Sequence, residues 1–184
     1  MLGRALLPHL GGHEVLGLTR SAANLELLRT LGATGAVCDV YQPGAFQRLA
    51  VAFAPELVVN FLTDLAAGPG AANTRIRLEG GPIVVAGATA SGARKLAVES
   101  VAFALPGASG EAVAALERGA QDSGLASWVL RFGRLWGPGT WDATPPAAPS
   151  VHVEDAGRMA AELILSRTPG TYQLEGGPLS GSRR

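Results

Sequence analysis

The stretch GGPIVVAGATASGARKL (residues 80–96) decides how the rest of the chain is read. In it, Ile83-Val84-Val85 runs into Gly87-Ala88-Thr89-Ala90-Ser91-Gly92. It can be a strand feeding a glycine-rich phosphate loop, or a helix whose glycines serve another purpose. The three β-branched residues favour a strand. The spacing does not: Gly87 and Gly92 stand five apart, with Ala90 or Ser91 where a middle glycine belongs. Nor does an acid or base follow roughly 20 residues on at the end of a next strand, as a dinucleotide fingerprint requires. Taken alone, the segment stays open between the two.

Working outward, the 184 residues carry 47% hydrophobic side chains, enough for one core and one domain. Fifteen basic residues balance fifteen acidic ones. No Lys/Arg stripe appears, so neither nucleic acid nor an anionic membrane is expected as a partner. The apolar stretches are broken well short of a bilayer span and no separate signal region is evident, which reads as soluble and cytoplasmic. Cys38 is the single cysteine, which excludes an intrachain disulfide and a multi-cysteine metal site. His9, His13 and His152 have no metal-ligand spacing with one another or with Cys38, so no metal is expected.

Apolar runs alternate with helical patterns. Strands are expected over residues 14–19, 36–40, 56–62, 126–132, 151–153 and 171–174, with helices over 21–31, 44–53, 111–123 and 154–166. Ser21 is placed to cap the first of these helices and Gly32 to end it. Pro43 opens the next, and residues 63–70 form a Gly/Pro loop. Strands that are continuously apolar and separated by helices predict a doubly wound α/β fold with a parallel, Rossmann-like sheet.

In order, LGRALLPHL…HEVLGLTRS, CDV, ELVVNFLTD, NTRIRLEG, ESVAF, WVLRFGRLWGPGTW and VHVEDAGRMAAELI resemble the extended or atypical short-chain dehydrogenase/reductases, in particular the NAD-dependent epimerase/dehydratase group. The resemblance implies a single NAD(P)-binding domain over residues 1–184 with a minimal substrate region over 133–184. It also implies that the family's first strand, its first two turn glycines and most of its substrate domain are missing. Gly3 then matches the third glycine of the turn. A first strand would lie mid-sheet, so its neighbours are expected to show open edges. An upstream start that restores the strand is one reading of this gap.

The same resemblance implies the site. Arg20 stands where an acid would hold the ribose of NAD and a base the 2′-phosphate of NADP, although a solvated arginine beside Ser21 fits the position too. Asp39 and Val40 match the adenine-contacting pair, and Leu62 and Thr63 would face the cofactor channel. Ser100 resembles the serine that polarises the substrate oxygen; the alternative is a plain strand-end hydroxyl. The Tyr-x-x-x-Lys pair, the expected acid–base engine, is not found: residues 110–117 contain neither type, and Lys95 is the only lysine.

The expected function is therefore an NAD- or NADP-dependent oxidoreductase or epimerase acting on a small, possibly sugar-linked, substrate, with a homodimer allowed. A degenerate nucleotide- or protein-binding module is the alternative. His152 before Glu154-Asp155 reads as a structural junction, and Trp136 and Trp141 as packing against the shortened loop. On the flanking motifs, residues 82–93 are expected to finish a crossover helix; the rival is a strand replacing the missing first one.

Overall fold

The computed structural model describes residues 1–64, 70–176 and 180–182. In chain order its elements are α1 (Leu2–Leu6), β1 (Leu16–Thr19), α2 (Leu25–Thr30), β2 (Thr34–Val37), α3 (Ala45–Phe53), β3 (Leu57–Asn60), α4 (Ala71–Arg75), α5 (Gly81–Ala90), β4 (Lys95–Val101), α6 (Gly107–Gln121), β5 (Ala126–Phe132), β6 (Arg134–Trp136), β7 (Ser150–His152), α7 (Val153–Ser166), β8 (Gly170–Leu174) and β9 (Ser180–Ser182). A single π turn, Ile76–Gly80, joins α4 to α5.

The main sheet has the order β3-β4-β5-β8-β9, parallel except for β9, which adds antiparallel to β8. Period-two alternation sorts its side chains. Leu96, Val98 and Val129 join the core under α3, α5 and α6. Ala97, Trp128, Leu130 and Phe132 join the core under α1 and α7. Both faces are thus covered, which is why these strands carry apolar side chains on both faces.

β1 and β2 pair parallel in a sheet of their own, bonded to no strand of the larger one among the described residues. Among the described residues β1 and β3 each keep one edge without a paired strand. Leu18 still packs on the cluster that holds Val58, so side chains span an interval that backbone bonds do not.

Residues 81–90 are helical, and the idea that this segment replaces a first strand is overturned. Its glycines do packing and capping. A Cβ on Gly87 would come within 2.5 Å of the Phe46 ring, so the glycine lets α5 lie close on α3. Gly92 takes φ +77° just past the helix, where its N–H and that of Ala93 close on the carbonyls of Thr89 and Ala88. Burial of Val84 and Ala88 outweighs the poor helix propensity of the sequence.

Other differences are local. The first two strands and β3 are shorter than their apolar runs; β2 in particular covers Thr34–Val37, before Asp39-Val40. Ser21 gives no side-chain cap. Thr19 Oγ1 instead accepts from the Ser21 N–H (3.3 Å) and from Asn24 Nδ2 (3.1 Å), and a 3-10 turn, Ala22–Asn24, precedes α2. The loop after β3 lies mostly outside the described residues.

Candidate functional site

Parallel strands bring their carboxyl ends to one rim. Arg20 follows β1, Asp39 and Val40 follow β2, and Leu62 and Thr63 follow β3. Arg20 Nη1 lies 3.3 Å from Asp64 Oδ2, a bridge between the small sheet and the end of β3. The loop is held by side chains: Asn60 Oδ1 accepts from the Leu62 N–H (3.2 Å), and the buried Asn73 accepts from the Asp64 N–H (3.2 Å). Asp39 Oδ1 accepts from the Tyr41 N–H at 3.0 Å, turning the chain after β2. The Tyr41 ring lies 4.2 Å beneath the Arg75 guanidinium, and Arg75 also pairs with Glu79. Burial, chiefly, pushes the Tyr41 phenol above its ordinary pKa.

Four of the anticipated cofactor residues thus share the rim with Arg20 and Asp64. Val40 is buried at 6% exposure, whereas Leu62 is 40% exposed. Gly3 sits in α1 with open space around it. The groups present fit the adenosine half of a dinucleotide. A glycine-rich pyrophosphate cradle is not among the described residues.

Ser100 lies at the far end of β4, 1% exposed, and its hydroxyl donates to Glu117 on α6. Glu117 accepts two more bonds from Arg131 of β5, at 2.8 and 2.6 Å. Burial works against the Glu117 carboxylate, but the bonds from Arg131 and Ser100 and the Arg131 charge outweigh it and hold its pKa below the ordinary value. A shallow hollow of about 350 Å³ opens beside this trio, walled by Phe103, Leu105, Val113 and Gln173. Sequence reading missed Glu117 and Arg131. The signal was a charge at residue 117 beside Leu116, on a stripe that is otherwise apolar.

His152 packs edge-on against Trp136 with ring centroids 4.6 Å apart, and Glu154 and Asp155 start α7, consistent with a structural junction. Trp141 departs from expectation: it is 74% exposed and does not pack on the loop. Among the described residues no His/Cys/Asp/Glu group could hold a metal, and no helix is long and apolar enough to cross a membrane.

No family model matches the chain. A 3-diazoavenalumate denitrifying reductase of Streptomyces sp. is 35% identical over 158 residues, covering 70% of this chain and 50% of that protein. The chain therefore spans about half the length of the curated relative it matches. A Bacillus halodurans protein assigned to the NAD-dependent epimerases/dehydratases superposes with a TM-score of 0.77 at 21% identity, over 97% of this chain and 91% of that one. The UDP-glucose 4-epimerase of Thermus thermophilus, crystallised with NAD, gives 0.76 at 19%, over 98% and 76%. The fold is that of the NAD-dependent epimerase/dehydratase group of short-chain dehydrogenase/reductases, a Rossmann-like α/β sheet. The resemblance carried by the ordered motifs holds in three dimensions.

Proposed function

We propose that the chain forms the NAD(P)-binding domain, residues 1–184, of an oxidoreductase or epimerase of the short-chain type, with a small substrate region over 133–184. One observation carries this reading. Arg20, Asp39 and Thr63 each follow the carboxyl end of a parallel strand, on either side of the parting between the two sheets, where open α/β folds take their ligands. The reductase relative and the NAD-bound epimerase support it.

In this reading Asp39 and Val40 meet the adenine, Arg20 the ribose or its 2′-phosphate, and Leu62 and Thr63 border the channel towards the nicotinamide. Gly3 leaves α1 unobstructed. The bound nicotinamide supplies or accepts hydride. Ser100 serves from behind β4, its hydroxyl committed to Glu117 and so fixing the end of the strand. The substrate is a small molecule, with a sugar-linked compound the favoured kind.

The test is titration with NADPH and with NADH, followed by nicotinamide fluorescence. Saturable binding supports the reading, and no binding at millimolar cofactor overturns it. A module that binds without turnover is favoured by one feature, an α6 with neither tyrosine nor lysine; cofactor binding without hydride transfer to any substrate is its signature.

A further inference from the structure

Ser100, Arg131 and Gln173 are register neighbours across β4, β5 and β8. Paired residues on adjacent strands point to the same face, so the three form one polar row under α6. Ser100 is committed to Glu117, and so are Nε and Nη2 of Arg131. A guanidinium carries five N–H donors, so that pairing leaves Arg131 with donors to spare. Among the described residues neither Arg131 Nη1 nor the exposed Gln173 amide has a hydrogen-bond partner. Both side chains line the hollow of about 350 Å³.

The rest of the wall is apolar and held in place. Phe103 and Leu105 come from the loop after β4, and Val113 from α6. The Arg134 guanidinium lies 4.4 Å from the Phe103 ring centroid and donates to the Ala147 carbonyl at 3.3 Å, which braces the ring. Gly110 lets the loop lie against the helix, since a Cβ there would run into the Leu105 carbonyl. An apolar wall with a few placed polar groups, at this volume, is the make-up of a small-molecule site.

Charge selects the ligand. Glu117 and Arg131 neutralise each other, and Arg134 stacks on Phe103 without lining the hollow. The free donors therefore present no net charge, which suits a carbonyl oxygen. A carboxylate would be set beside that of Glu117. Sugar hydroxyls would lose water against Phe103, Leu105 and Val113 and find no partners there.

We propose that this hollow binds an uncharged compound with a flat apolar body and a carbonyl group. The body lies against Phe103, Leu105 and Val113, and the oxygen accepts from Arg131 Nη1 and the Gln173 amide. The hollow opens at the carboxyl ends of β4, β5 and β8, further along the rim that holds Arg20, Asp39 and Thr63. Binding here needs no cofactor. That the bound carbonyl is the group reduced rests on the cofactor reading above, and a sugar-linked substrate then enters the hollow by an apolar end.

The test uses the full chain without cofactor, ¹³C-labelled at its Leu and Val methyls, with benzamide as probe. Benzamide should shift the Leu105 and Val113 signals saturably at millimolar concentration. Toluene, which lacks the acceptor, and benzoate, which adds a charge, should each bind about fivefold more weakly, and glucose should shift neither signal. Gln173→Leu, checked for folding by its melting temperature, should weaken benzamide about fivefold and leave toluene unchanged. No saturable shift, benzoate binding as tightly as benzamide, or an unchanged benzamide affinity in Gln173→Leu overturns the proposal. Nicotinamide fluorescence is read separately. A chain that binds benzamide but not NADPH keeps the hollow and loses the cofactor reading; one that binds NADPH but not benzamide does the reverse.

Discussion

Glu117 and Arg131 meet through two hydrogen bonds, 2.8 and 2.6 Å long, that tie α6 to the centre of the main sheet. Ser100 completes the arrangement from β4. The pair therefore joins one helix to two adjacent strands.

Replacing Arg131 by Met leaves the Glu117 carboxylate in the interior without its main donor. Removing one partner of a buried pair costs about 3–5 kcal/mol, and the exposure of Arg131 argues for the lower end of that range. Urea denaturation at pH 7 measures the loss. The pKa of Glu117 is depressed in the fold, so its contribution is present above the unfolded carboxylate value of 4.5 and fades as pH falls through the folded value. The penalty of Arg131→Met should accordingly shrink in acid.

Glu99 carries the opposite sign. Its folded pKa of about 7 exceeds the ordinary 4.5, so stability is greatest below 4.5 and falls as pH rises towards 7. The decline is up to ~3 kcal/mol at 1.36 kcal/mol for each pKa unit. Glu99→Gln should remove this slope and raise the melting temperature above pH 7. Parallel melting curves for the two proteins across pH 5–8 (about the range where the fall is expected) would refute the burial argument.

Gly87 and Gly92 separate packing from backbone conformation. Gly87→Ala drives a methyl into Phe46 and should cost about 1–3 kcal/mol, with Phe46→Leu recovering part of it. Gly92→Ala meets no neighbour but imposes a side chain on φ +77°, at about 1–2 kcal/mol. Phe46→Leu should not rescue Gly92→Ala. Thermal unfolding of the four variants decides.

Arg20 is bridged to Asp64, so its charge is partly committed before any ligand arrives. Asp64→Asn should release it and raise the preference for NADPH over NADH. Arg20→Ala should weaken NADPH more than NADH. Equal effects on both cofactors in fluorescence titrations would remove the 2′-phosphate role.

Much of this was legible in the sequence. The extent of β5 was read to the residue, because the run Trp128-Val129-Leu130 and Phe132 lie between Gly124 and Gly133. The helical state of residues 81–90 was legible only through the motifs on either side, since its own composition favours a strand. β2 was read late because Cys38 and Val40 are apolar; in the structure they pack on the core beyond the end of the ladder. At the rim, Arg20, Asp39 and Thr63 could be placed from their positions after strands. Asp64, Glu117 and Arg131 could not, because each matters through a partner distant in sequence.

The sequence by itself determined the α/β alternation and the parallel sheet, since hydrophobic period and turn chemistry are local properties. Tertiary structure decided what the glycines and charges do. Gly87 became a contact surface for Phe46 only once α3 and α5 were packed together. Ser100 became a sealed donor only when α6 brought Glu117 over it. Burial and proximity across the chain set those roles, and no local pattern encodes them.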